Sequence, residues 1–508
     1  MTVKQMLGQK LIFGFHGTEL SEEFKALIRE YKIGNVILFL RNVQSAGQLR
    51  TLCRQIQEFI LEVTGYPAFI VIDQEGGLVS RLPADGVNVP SAMAICATDD
   101  PDNSRVAAEI TIRQLRGLGV NFNMAPVLDV NTNPANPVIG VRSFGDDAQK
   151  AAQFGEAAVR AYAGTGIYCC GKHFPGHGDT SVDSHLGLPR VDKTLEELEA
   201  AELIPFRRCI EAGIPAIMSS HILFPKIEPE NVPCTMSRRL ITDLLKKKLG
   251  FRGLVFSDCL EMDAIQDYYG TARGTVEAIK AGVDLAELSS TLSLMRDTAK
   301  AVNEAAERGE FDMEELRESV EKILSYKKAM AVQPQPELAG LPEDRQTVQN
   351  LSRQAITCCS GHVPFPDEHT LFIGCGDYRA SLVGNPELLV PAFPEYMAAA
   401  LGGGAVVTSK DPGEEEIRSA VQAAEHYDRI VLGTSNAHLL RGQLKLARAL
   451  AATGREMTVV SLRNPYDLPL LPDCACKIAA YDYSEPCFRA LVDVFRGGAM
   501  TGVLPVKL

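Results

Sequence analysis

A chain of 508 residues is too long for one comfortable core, so two or more domains are expected. Hydrophobic residues at 46% and charged residues at 23% place it among globular chains that fold in water. A formal charge of −13 argues against nucleic acid or an anionic membrane as partner, though a local pocket can still be basic.

The start, MTVKQMLGQKLIFGF, has no signal-peptide pattern, and no run of about 20 apolar residues follows that would span a membrane. Thirteen cysteines is an odd count, and Cys169, Cys170 and Cys259 sit in apolar runs. They read as reduced core thiols rather than a disulfide framework, which fits a cytoplasmic protein. Cys474-Ala475-Cys476 lacks the spacing of a zinc or redox motif.

In chain order, short apolar runs predict strands at Leu11–Phe15, Asn35–Leu40, Ala68–Asp73, Val120–Pro126, Ile167–Gly171, Ala216–His221, Leu254–Asp258 and Asp284–Leu288. Helical spacing fills segments between them, at Ser45–Val63, Asp102–Leu118, Asp147–Ala163, Thr194–Ala212 and Thr271–Ala281. Continuous apolar strands alternating with helices imply a parallel sheet covered on both faces. Eight such units predict a TIM (β/α)8 barrel over residues 1–332. Polar residues gather where these strands end, as in Asp73-Gln74-Glu75, Asn123 with Asp129, Ser219-Ser220-His221 and Ser257-Asp258. In a barrel those ends meet on one face, where active sites lie.

Residues 333–345 are proline-rich and aperiodic and read as a linker. From 346 to 508 the alternation resumes, predicting a smaller open α/β sandwich domain. Its strands are expected at Thr370–Cys375, Ala405–Thr408, Arg429–Gly433, Thr458–Leu462 and Lys477–Tyr481. No glycine-rich phosphate fingerprint follows them. The sequence leaves its role open, with shaping of the barrel mouth and dimerisation as the two candidates.

The stretch Gly171–Pro189 holds three of the nine histidines among glycines and prolines, directly after an apolar run. A rigid strand delivering into a tight polar loop is how active sites are presented. Asp183-Ser184-His185 sets a carboxylate two residues from an imidazole, a pairing that makes an acid/base near neutral pH; the bland reading is a turn with a solvated histidine. Asp258 ends a strand, where a carboxylate serves as nucleophile, base or metal ligand, or alternatively as a helix N-cap. Lys172, His173, Asp73, Arg81 and Arg142 would reach the same face, able to bind neighbouring hydroxyls, or else stand as surface charges. His173, His177, Asp179, Asp183 and His185 also suit zinc or manganese by ligand type, but without a recognised spacing.

Taken together, Ile72-Asp73-Gln74-Glu75-Gly76-Gly77 with Arg81, Gly140-Val141-Arg142-Ser143-Phe144-Gly145, Lys172-His173-Phe174-Pro175-Gly176-His177-Gly178-Asp179, Asp183-Ser184-His185 and Ser257-Asp258-Cys259-Leu260-Glu261-Met262 resemble glycoside hydrolase family 3, in its β-N-acetylglucosaminidase branch. Arg463-Asn464-Pro465-Tyr466-Asp467 and Gly502-Val503-Leu504-Pro505-Val506 resemble the second domain of its longer members. The family often has Arg at Leu78 and Asp at Cys259.

The resemblance implies a retaining exo-glycosidase without metal or cofactor. Asp258 would be the nucleophile, His185 the acid/base and Asp183 its partner. Asp73, Arg81, Arg142, Lys172 and His173 would hold the N-acetylglucosamine ring. The expected substrate is a carbohydrate, a muropeptide fragment or chitooligosaccharide. A phosphorylase is the near alternative, because imidazole does not repel phosphate. A metal-dependent hydrolase and a non-catalytic sugar-binding protein are the others. The chain has no Trp, so Phe or Tyr must supply any stacking.

Overall fold

The computed structural model describes residues 1–181, 187–330, 335, 340–376 and 391–508. Eight parallel strands form the first sheet: β1 Leu11–Phe13, β2 Asn35–Leu38, β3 Phe69–Ile72, β4 Phe122–Asn123, β5 Tyr168–Phe174, β6 Ala216–Ser219, β7 Leu254–Ser257 and β8 Ala286–Leu288. Neighbours follow chain order from β1 to β7, and β8 pairs with β1. The remaining seam, between β7 and β8, is held by a bridge at Phe256 and Leu285, which closes the ring.

The strands read as unbroken apolar runs because both faces are buried. Ile12, Ile37, Phe69, Val71, Phe122, Phe256 and Leu285 fill the barrel interior. Their alternates, among them Phe13, Val36, Ile70, Ile72, Ile217 and Val255, pack under the surrounding helices. The expected barrel is therefore present, with strand ends that shift by a few residues. The predicted helix Thr194–Ala212 is two, Leu195–Ala200 and Leu203–Glu211. Pro205 lies in the first turn of the second, where its missing N–H costs no helical bond.

The second sheet has the order β11-β10-β12-β13-β14-β9, with β9 Thr357–Gly361, β10 Thr370–Cys375, β11 Gly404–Thr408, β12 Arg429–Thr434, β13 Glu456–Ser461 and β14 Cys476–Ala479. All pairs are parallel except β14 with β9. Of the expected linker, 333–345, positions 333, 334 and 336–339 lie outside the described residues; helix Pro342–Ala355 starts within its last positions. The two domains share one apolar cluster, in which Leu78, Val79, Met93 and Val141, from segments between the barrel strands, meet Ile373, Leu432 and Val459. Asn131 donates to the Tyr466 hydroxyl across this junction (2.9 Å), and Ser91 Oγ to the Tyr481 carbonyl (2.9 Å). Among the described residues no helix is long and apolar enough to cross a membrane. Among the described residues no disulfide joins two cysteines.

Candidate active site

The carboxyl end of β3 is fixed first. Asn123, at the end of β4, accepts from the Gln74 N–H and donates to its carbonyl, each at 2.9 Å. Gln74 Oε1 then accepts from the Arg81 N–H (2.8 Å) and folds the loop back over the barrel. Asp73 and Glu75 flank Gln74 and meet Lys172 from β5, at 2.7 and 2.6 Å from its Nζ. Arg142 grips Glu75 with Nε and Nη2, both at 2.8 Å. Such a two-pronged pair fixes orientation as well as charge.

Burial alone would raise the Glu75 pKa, but Arg142 and Lys172 outweigh it and hold the carboxyl well below its usual range. Burial likewise works against the Lys172 ammonium, and Asp73 with Glu75 more than restores it. Glu75, Arg142 and Lys172 are therefore charged. The side chains of Lys172, Glu75 and Arg142 are buried, and that of Asp73 is more open.

A second hub sits beside it. Asp129 Oδ2 lies 2.7 Å from His173 Nδ1, and Oδ1 accepts from the N–H groups of His173 (3.1 Å) and His177 (2.6 Å). One buried carboxylate thus fixes both the ring and the backbone at the end of β5. Burial would raise the Asp129 pKa, but the facing His173 and His177 lower it below the usual value. His177 is tied through Nδ1 to Thr180 Oγ1 (2.9 Å), and burial pushes its pKa down to about 4. It is a neutral imidazole at neutral pH.

Asp258 follows β7. Its N–H donates to the Ser219 carbonyl (3.1 Å) and its Oδ1 accepts from the Cys259 N–H (2.7 Å). It caps no helix: the next one, Asp263–Gln266, has Met262 at that position. His221 braces the turn from below, with Nε2 at 2.9 Å from the Cys259 carbonyl and Nδ1 at 2.9 Å from Thr235 Oγ1. Glu287 of β8 lies in the same region, buried, with Oε2 lacking a hydrogen-bond partner among the described residues. Burial, then the charges of Asp73 and Asp258, push its pKa well above the usual carboxylate range.

Of the eight site residues expected from sequence, Asp73 and Asp258 directly follow β3 and β7, Lys172 and His173 lie in β5, and Arg81 and Arg142 lie in the loops after β3 and β4. Asp183 and His185 lie outside the described residues. Arg81 is buried within the field of Asp73 and Glu75. Of the residues weighed as metal ligands, His173 turns to Asp129, His177 to Thr180 and Asp179 to Lys193 (3.0 Å). Sequence reasoning missed Glu75 and Glu287 as members of the site, and named Asp129 only as following a strand. The signal for Glu75 was its place two residues after Asp73; the strand hides Glu287.

Fold and site together define a barrel enzyme with a charged, hydrogen-bonding pocket at the carboxyl ends of its strands. The profile described as "Glycosyl hydrolase family 3 N terminal domain" matches residues 2–326. Beta-hexosaminidase A of Pseudoalteromonas piscicida is 30% identical over 100% of this chain and 97% of its own. Beta-hexosaminidase of Thiobacillus denitrificans is 36% identical over 54% of this chain and 77% of its own. A glycoside hydrolase family 3 beta-N-acetylglucosaminidase from Paenibacillus sp. str. FPU-7 superposes with a TM-score of 0.94 at 36% identity, covering 100% of this chain and 99% of the other. The chain belongs to glycosyl hydrolase family 3, and it is a glycoside hydrolase.

Proposed function

We propose that the chain is a retaining exo-β-N-acetylglucosaminidase that removes terminal N-acetylglucosamine from muropeptides or chitooligosaccharides. The observation that carries this reading is the match over essentially the full length of both chains to a beta-N-acetylglucosaminidase structure. In the proposed mechanism an Asp258 oxygen attacks the anomeric carbon. The bond to the leaving oxygen breaks, and that oxygen takes a proton from His185. Water then gives its proton back to His185 and displaces Asp258, so configuration is retained. Asp183 would orient the His185 ring and favour its protonated form.

Asp73, Arg81, Arg142, Lys172 and His173 would bind the sugar's hydroxyl and acetamido groups. Their arrangement supports that role. Glu75 holds Lys172 and Arg142, and Asp129 holds His173, so each donor enters the pocket already oriented. We take the barrel, 1–332, to supply this chemistry, and 346–508 to shape its mouth. A cytoplasmic site of action fits the reduced cysteines.

The test is turnover of an aryl β-N-acetylglucosaminide by wild type and Asp258→Asn, with and without inorganic phosphate. The expected result is loss of at least roughly 10³-fold in kcat for the variant, with sugar released as the free hexosamine in both buffers. Phosphate-dependent release of sugar 1-phosphate would instead identify a phosphorylase. An active Asp258→Asn would remove the nucleophile from the scheme.

A further inference from the structure

At the amino-terminal end of the barrel, opposite the catalytic face, lies a cavity of about 640 Å³. Its floor is built where β1, β7 and β8 begin, and its walls come from helices Arg239–Lys248 and Met313–Ala329. Asp284, just before β8, is 1% exposed and anchors the floor. Its Oδ2 accepts from the Val255 N–H (2.9 Å) and from Lys322 Nζ (2.8 Å), and its Oδ1 from Ser319 Oγ (2.6 Å). Lys246 Nζ stands 3.7 Å from the same carboxylate. Lys10, 2% exposed, donates to Ser319 Oγ.

Lys322 and Lys246 thus face one buried carboxylate directly, and Lys10 reaches it through Ser319 Oγ. The rim acids do not balance them. Glu315 is paired with Arg238 and Glu310 with Arg308; Asp312 caps a helix, and Glu318 is exposed. Burial lowers the Lys10 pKa to about 7 and lowers that of Lys246 too, so the site holds positive charge at a cost. An anion entering the cavity would offset that cost. Nothing in the catalytic scheme uses these groups.

We propose that this cavity binds a compact phosphate-bearing anion of the di- or triphosphate class, held by Lys10, Lys246 and Lys322 with Arg252 at the rim. Lysine ammoniums act as point charges that suit tetrahedral phosphate oxygens, whereas planar carboxylates favour the guanidinium fork. The ligand would join the starts of β1, β7 and β8 to two helices. It would thereby brace the β7–β8 seam, which has the bridge at Phe256 and Leu285 instead of a continuous ladder.

The test is calorimetric titration of pyrophosphate, at constant ionic strength in sodium chloride, into the full chain and three variants. Saturable one-site binding is expected for wild type and for Asp258→Asn. Affinity should fall at least roughly ten-fold in Lys246→Gln and Lys10→Met, equal to about 1.4 kcal/mol. Lys246 is half-buried at the rim, so its variant stays folded and the test survives if Lys10→Met does not fold. Absence of saturable heat in wild type would overturn the proposal. So would equal affinity in Lys246→Gln, or binding lost only in Asp258→Asn, which would put the anion at the catalytic face.

Discussion

Glu287 sits where two other carboxylates, Asp73 and Asp258, already set a negative field. It pairs with Ile12 across β8 and β1, and Leu285 two residues earlier points into the barrel, so its side chain does too. A buried carboxyl with an unpartnered oxygen is cheaper neutral than charged. As a neutral acid it lies beside the proposed nucleophile without adding a third negative charge. Glu287→Gln, which mimics the protonated form, should therefore keep kcat/KM within roughly two-fold.

Its raised pKa also fixes a sign. A carboxyl whose folded pKa exceeds its unfolded value, near 4.5 here, contributes fully below that value and loses its contribution as pH rises toward the folded pKa. Wild type should lose stability relative to Glu287→Gln as pH rises above the ordinary carboxylate value, about 4.5, in denaturant titrations. Parallel pH curves would show that Glu287 ionises normally. None of this was legible in Asp284-Leu285-Ala286-Glu287-Leu288, a run with two carboxylates of which neither is marked out. Only the ring closure of β8 on β1 decides that Glu287 faces Asp73 and Asp258.

The element that carries most of the site is β5 with the turn after it. From sequence the strand ends at Gly171 and Lys172 opens a loop; in the fold β5 runs to Phe174, so Lys172 and His173 are strand residues. Charged side chains at a barrel mouth break the apolar signal before the strand itself stops. A whole strand is missed at β9, whose Thr-Cys-Cys-Ser-Gly has no strong strand pattern and forms only by pairing with β14. The other strands were readable because burial on both faces demands apolar runs, and the strand-end clusters were readable because barrel topology gathers them.

Packing in the turn after β5 makes a prediction. A Cβ on Gly178 would lie 1.7 Å from the Val130 carbonyl, next to Asp129. Gly178→Ala must push these backbones apart and disturb the carboxylate that holds both His173 and His177. We expect a loss of about 1–3 kcal/mol in stability and a fall of roughly 10–100-fold in kcat/KM. Gly47→Ala, in an exposed helical turn with only Arg50 Nη2 near, at 3.9 Å, is the control and should leave both unchanged. Equal behaviour of the two variants would mean that the turn is not held as tightly as its contacts imply.

At the scale of the whole molecule, the second domain is not a separate body set beside the barrel. The two halves share an apolar cluster and cross-domain hydrogen bonds at Asn131–Tyr466 and Ser91–Tyr481. Gly140 is one close approach. Its φ is +46°, a region that side chains disfavour, and a Cβ there would lie 2.4 Å from Asn464 Oδ1. Two residues on is Arg142, so the turn that touches the second domain also carries a proposed sugar-binding cation. This links interface and pocket through one short segment.

Sequence could place Gly140 and Asn464 in family motifs, but not in contact, because their proximity depends on how the two domains dock. Wild type should unfold in one coincident transition by far- and near-ultraviolet dichroism, since neither half buries the shared cluster alone. Gly140→Val should lower that midpoint, separate the two signals, and raise KM more than it lowers kcat as Arg142 shifts. A variant with wild-type KM and a single unshifted transition would show that the domains dock without steering the pocket. A raised KM with an unshifted transition would keep the role of Arg142 but place it within the barrel alone.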